Sequence, residues 1–546
     1  MWGVAQTIPI NITGMSRVGG LDSLSWLSDV MCAGICRWPR RGVWSWGNSR
    51  GQLTYRQCRW PVRLVGVKRG AAQVAIRICA VLVLAIGPSI GWPGVSRAVE
   101  PPVIDPGALP ADGMTPEVQM QQQKGPMVAF AREGSQFVDP PWSAEALRLA
   151  EAHKLSEGAT AEGEPVLVAV VDTGVNVSPR VPAEPGGDLV IDGGDGLQDL
   201  DAHGTLVASL IAGRPGPDDR FVGMAPRARL VSIRHTSEIF SPKQTVAPDP
   251  NDPNQSQPAG SVRTLARAIK RAAELGAKVI SIAEQACLKV SDGIDQASLG
   301  AALRYAVVEK DAVVVAAAGN ASENGLGGSC GQNPPPLPSN PTPLGMLGWD
   351  QVSTIVTPAW FAPLVLVVGA TDRTGTPVDY SIAGPWVGVT APGGSQADPK
   401  APDDLGLTAL FDDHPVNALP GQQRVPTNIQ GTSFATAEVA GLAALVRAKY
   451  PKLTANQVME RIIRTSRHPG MGWDNKQGFG AVDPVAALTW DGPLGPAQPQ
   501  YTVKAIAPPR QPNRDDYGPI NWVLGGVVAT LALGGAFLLF RRAASK

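Results

Sequence analysis

An α/β fold, built on a mainly parallel sheet with helices on both faces, is what this sequence predicts, and two observations carry the prediction. Five short β-rich runs, 166–171, 229–233, 279–282, 313–317 and 364–368, are almost wholly apolar. Strands covered on both faces read this way, because a strand with one wet face alternates instead. Segments of helical length and composition lie at 262–275, 296–310 and 432–449. Alternation of the two types calls for crossover connections that return each strand parallel to the last.

The chain has 546 residues and no net formal charge, with 47 basic and 47 acidic side chains. No global field therefore attracts nucleic acid or an anionic surface, and no nucleic-acid partner is expected. Glycine (61) and proline (51) are abundant, which suits a loop-rich globular protein better than a helical bundle. Cys32, Cys36, Cys58 and Cys79 fall in the first eighty residues, so the main body holds Cys287 and Cys330 alone.

Taken in order, residues 1–66 carry six tryptophans and many arginines with no apolar periodicity. They are read as a prefix upstream of a true start at Val67, the alternative being a cytoplasmic segment. Residues 67–98 have the form of a secretory signal, with Lys68, Arg69 and Arg77 before the apolar run 78–86 and the small-residue site Ser96-Arg97-Ala98. An extension, 99–163, leads into the main domain, 164–490, where the polar stretches 241–260 and 331–343 are read as surface loops. Residues 491–519 are proline-rich and read as an extended tether. The uncharged run 520–540 has the length of a transmembrane helix, and the tail 541–546 carries Arg541, Arg542 and Lys546. Positive residues mark the cytoplasmic side, so the main domain is expected outside a cytoplasmic membrane that the chain crosses once.

Chemistry enters at strand ends and helix starts, where side chains of such sheets converge on a crevice. The run 167–171 ends in Asp172-Thr173-Gly174, a carboxylate at a strand tip. His203 opens a segment, 203–213, read as an amphipathic helix, and Gly431-Thr432-Ser433 puts a hydroxyl at the start of the Ala- and Val-rich helix. Each motif alone is common, but the order Asp, His, Ser is one of the recurring arrangements of a nucleophilic triad. A serine hydroxyl needs an imidazole to take its proton, and the imidazole needs a carboxylate to fix its tautomer. Ser433, His203 and Asp172 fit those roles. His153, His235, His414 and His468 lack such context and are read as surface or packing residues.

The three segments resemble the signature blocks of the subtilase family over residues 164–488. That resemblance implies a subtilisin-like fold and a serine endopeptidase acting on polypeptides through an acyl-enzyme; no cofactor or metal is expected. It also implies that Asn320, at the end of 313–320, donates to the oxyanion together with the Ser433 amide, and that substrate lies along 280–284 and the stretch before Ala316. Ala437 and Glu438 stand where many members have proline and histidine, a change expected to alter packing only. A narrower resemblance is to the mycosins, subtilases of type VII secretion systems, carried by the block 193–203, by Cys287 and Cys330 beside the substrate segments, by the extension and by the C-terminal anchor. It implies an extension wrapping the domain and a place beside the secretion membrane complex, the rival reading being chiefly a structural cap on that complex. Cys287 and Cys330 are expected to pair in the oxidising exterior. The acidic cluster Asp192, Asp195 and Asp199 is read as a solvated turn rather than a calcium site.

Overall fold

The computed structural model describes residues 99–243, 259–290, 295–321, 330–334, 348–349, 352–395, 406–421, 425–470 and 472–504, with the backbone of Val43–Trp46 and Leu53–Arg56. The chain divides into two compact units, Met1–Val95 and Ser96–Lys546. In the first, Val43–Trp46 pairs antiparallel with Leu53–Arg56, a ribbon that the aperiodic prefix did not announce and that is marginal alone. The expected signal, 67–98, and membrane helix, 520–540, lie outside the described residues. Among the described residues no helix is long and apolar enough to cross a membrane.

In the second unit the sheet has seven strands: β1 Leu167–Asp172, β2 Ala183–Asp188, β3 Arg229–Arg234, β4 Val279–Ile282, β5 Val313–Ala317, β6 Leu366–Thr371 and β7 Val387–Pro392. Their order is β2-β3-β1-β4-β5-β6-β7, every neighbouring pair parallel. Every residue of β4, β5 and β6 is buried. The helices are α1 His203–Ala212, α2 Val262–Glu274, α3 Ala297–Arg304, α4 Thr432–Lys449, α5 Ala455–Arg464 and α6 Pro484–Thr489. α1 packs on α4, and α4 runs over β4 to β7, while α2 packs on β1, β3 and β4 and holds α3 against its side. The predicted 296–310 helix is α3 continued by one π-helical turn, Tyr305–Glu309.

Several expectations are corrected. α1 is not amphipathic: every residue from Gly204 to Ala212 is buried, because α4, β1, β3 and the ribbon strand Ala409–Phe411 enclose it. The segment 491–504 is not an extended tether. Arg304 Nε donates to Tyr501 Oη at 3.1 Å, Asn456 Nδ2 to the Pro496 carbonyl at 2.8 Å, and Ile104 forms a parallel bridge with Val503. The stretches read as surface loops are partly built in, since Phe240–Pro242 pairs with Met120–Gln122 and Asn333 is buried. Asn333 Nδ2 donates to the Thr354 and Ala383 carbonyls, and its Oδ1 accepts from the Ser353 and Thr354 amides.

The extension 99–163 is woven into the domain. Besides those pairings, Phe130 bridges to Ala418, and the polar side of α2 faces the extension, Arg267 Nη2 donating to the Gly113 and Thr115 carbonyls at 2.7 and 2.9 Å.

Candidate active site

β1 ends at Asp172, and the turn beyond it fixes the carboxylate from behind. Oδ1 accepts from the Thr173 amide at 2.8 Å, and the residue is 1% exposed. His203 reaches it because Ala202, at φ 64°, turns the chain sharply into α1. Left-handed backbone is costly for alanine and is held only by its surroundings, here a site where Ala202 is wholly buried. The residue after His203 must be glycine, since a Cβ on Gly204 would lie 2.1 Å from the Gly174 carbonyl and 3.0 Å from Asp172 Oδ1. The result is His203 Nδ1 at 2.8 Å from Asp172 Oδ1.

Ser433 is the second residue of α4, where backbone N–H groups have no partner within the helix. Phe434, its neighbour, lays its ring 5.3 Å from the His203 ring. A Cβ on Gly431 would meet Ser433 Oγ at 2.9 Å and Asn320 Nδ2 at 3.5 Å, so hydroxyl and amide flank one small space. Asn320 is oriented by Thr432: its Oδ1 accepts from the Thr432 amide at 2.9 Å and from Thr432 Oγ1 at 3.0 Å. With the oxygen thus engaged, the Nδ2 hydrogens are the ones left to point toward the space.

Three contributors escaped the sequence reading. Asp199 is no solvated turn. It is buried, its Oδ1 accepting from Thr173 Oγ1 (2.9 Å) and its Oδ2 from Thr205 Oγ1 (2.6 Å) and the Thr205 amide (2.9 Å). It ties the turn after β1 to the first turn of α1, and burial pushes its carboxyl up to about 6. Its place four residues before His203 was a signal that could have been used. Thr432, which aims Asn320, was visible only as part of the Gly-Thr-Ser motif. Glu284, two residues past β4, has Oε1 at 3.2 Å from His203 Nδ1; the resemblance placed it at the end of the substrate segment 280–284, and no local signal marks its contact with His203.

Electrostatics follow from this crowding of carboxylates. Burial disfavours charge on the His203 ring, but Asp172 and Glu284 outweigh it and hold the imidazole well above its ordinary value. Burial raises Glu284, the attraction of His203 opposing and the charge of Asp172 adding to the rise. His235, beside the site, is buried and pushed down to about 4 by desolvation, in keeping with a packing role. Among the described residues, the grouping with metal-ligand spacing is Asp172, His203 and Glu284, but both carboxylates already claim the same ring nitrogen. Away from the cluster, Cys287 and Cys330 are disulfide-bonded with Cα atoms 5.4 Å apart.

A doubly covered parallel sheet with a buried carboxylate bonded to an imidazole, and with a helix-start serine beside an asparagine amide, is the pattern of a serine hydrolase of the α/β class. The Subtilase family description matches residues 163–480. Mycosin-1 of Mycobacterium tuberculosis is 52% identical over 454 residues, covering 83% of this chain and 96% of that protein. The solved structure of MycP1 from the ESX-1 type VII secretion system is 51% identical, with TM-score 0.67, covering 74% of this chain and all of that one. A subunit of an intact ESX-5 inner membrane complex is 43% identical, with TM-score 0.65, over 81% of this chain and 99% of that one. The chain belongs to the subtilase family of serine proteases and, within it, to the mycosins.

Proposed function

We propose that Asp172, His203 and Ser433 are the catalytic triad, with Asn320 and the Ser433 amide as oxyanion donors, of an endopeptidase that serves a type VII secretion complex. The observation that carries the reading is the 2.8 Å bond from His203 Nδ1 to the buried Asp172. It commits that nitrogen's proton and leaves Nε2 to take the proton of Ser433 Oγ as the hydroxyl attacks a peptide carbonyl. Negative charge then develops at the start of α4, where the helix dipole and the Asn320 amide favour it. The imidazolium returns its proton to the leaving amine, and water releases the acyl group by the reverse sequence. No cofactor or metal takes part.

In this reading, residues 520–540 span the cytoplasmic membrane once, the domain lies outside and 541–546 lie inside. Proximity to a secretion complex is supported by the related subunit in the ESX-5 inner membrane complex. The same relative supports a second reading, in which the protein chiefly stabilises that complex. Labelling with a fluorophosphonate tests the first, since Ser433→Ala should abolish it. Secreted proteins from cells carrying Ser433→Ala, compared with a full deletion, separate the two. Loss of secretion in the deletion alone assigns the structural role, and altered processing in the point variant assigns the catalytic one.

A further inference from the structure

The imidazole of His203 is contacted by two carboxylates, not one. Its Nδ1 lies 2.8 Å from Asp172 Oδ1 and 3.2 Å from Glu284 Oε1. A single N–H cannot satisfy two acceptors fully, and the two acceptors differ. Asp172 sits behind the ring, fully buried, while Glu284 comes from the end of β4 with 31% of its side chain exposed in the crevice. We propose that Glu284 is a positioning residue that restrains the general base, its carboxylate sharing Nδ1–H with Asp172. The proposal rests on the triad assignment above.

The surroundings are consistent in sign. The groups acting on His203 include Asp172 at the end of β1, Glu284 beyond β4 and Asp199 before α1, with Asp201 and Glu238 also within its field, all acidic, and the apolar Phe434 ring from α4 alongside. Glu284 in turn feels His203, Asp172, Glu238 and Asp201. Of the neighbours in the next layer, His235 is neutral, Arg234 is drawn toward Asp188 and Asp201, and Lys124 acts on Glu238. No cation faces the pair directly among these, so nothing there offsets the second carboxylate.

A second carboxylate has two opposite effects on rate. It raises the pH at which His203 becomes neutral and able to accept the Ser433 proton, which costs activity on the acid side. It also stabilises the imidazolium that forms in the transition state, which favours activity once the base is free. Removing the charge should therefore make the pH profiles of variant and parent cross. A merely structural role for Glu284 would lower the whole profile without moving it.

The test is the rate of fluorophosphonate labelling of the full-length protein in detergent, measured from acid to alkaline pH for the parent, Glu284→Gln and Glu284→Ala. The expected result is an acid limb displaced downward by about one pH unit, a tenfold effect on that limb, with a lower alkaline plateau. An unmoved limb in the isosteric Gln variant overturns the proposal. Titration of the His203 ring by NMR, in a Ser433→Ala background with and without Glu284→Gln, reads the same effect without catalysis. A downward shift there supports the restraint even if labelling fails and the triad assignment with it; no shift overturns it.

Discussion

Asn320 and Glu438 make the sharpest residue-scale tests. Thr432 binds the Asn320 oxygen through both its amide and its hydroxyl, so the Nδ2 donor is aimed before substrate arrives. Asn320→Ala should lower kcat by about 10² to 10³ with KM little changed, the loss expected for one preorganised oxyanion donor, measured on a peptide substrate. Glu438 is buried in α4, where burial pushes its carboxyl up to about 8 against a hydrogen bond from Ser143 of the extension. The folded state therefore binds a proton that the unfolded state releases above its ordinary value near 4.5. Stability falls as pH rises between those two values, by roughly 3 to 5 kcal/mol at most. Glu438→Gln should raise the melting temperature above pH 8, with the gain vanishing toward pH 4. The sequence offered Asp172, His203, Ser433 and Asn320 as candidates because each sits in a local motif. It concealed the roles of Glu284, Asp199 and Thr432, because those depend on which loops the sheet brings together.

At the scale of elements, what escaped prediction were the two edges of the sheet. β2 reads AEPGGD and β7 reads VGVTAP, compositions that argue against a central strand. An edge strand tolerates proline, since one row of its amides makes no ladder bond. The central runs were legible because burial on both faces demands continuous apolar sequence. The disulfide joins the ribbon strand Ala286–Lys289, paired with Thr354–Thr357, to the segment leading into Asn333. With a sequence separation of 43, the chain-entropy account assigns it roughly 4 kcal/mol, less any native strain. Replacing both cysteines with serine should lower the melting temperature and increase hydrogen exchange at Ser353 and Thr354, with fluorophosphonate labelling retained. Two free thiols by intact mass under non-reducing conditions would show the bond to be absent.

For the whole molecule, the two ends of the described domain are fastened to each other. The Ile104 amide donates to the Thr502 carbonyl and the Lys504 amide to the Ile104 carbonyl, both at 2.8 Å, and Lys504 Nζ meets Asp105 Oδ2 at 2.7 Å. External protease acting on spheroplasts should therefore release a domain whose C-terminus lies beyond Lys504, not at 491, and mass spectrometry of the released fragment checks this. A fragment ending near 491 would show the packing of 491–504 to be loose. The clasp also has a mechanical meaning. A pull on the chain beyond Lys504 loads the bonds to Ile104 and Asp105 before it can reach α6, α5 or the sheet. The force passes into the extension, itself pinned at Met120–Gln122 and Phe130. The clasp at Ile104 and Asp105 thus takes the first share of any tension on the chain beyond Lys504, ahead of the segment that leads back to α6 and α5.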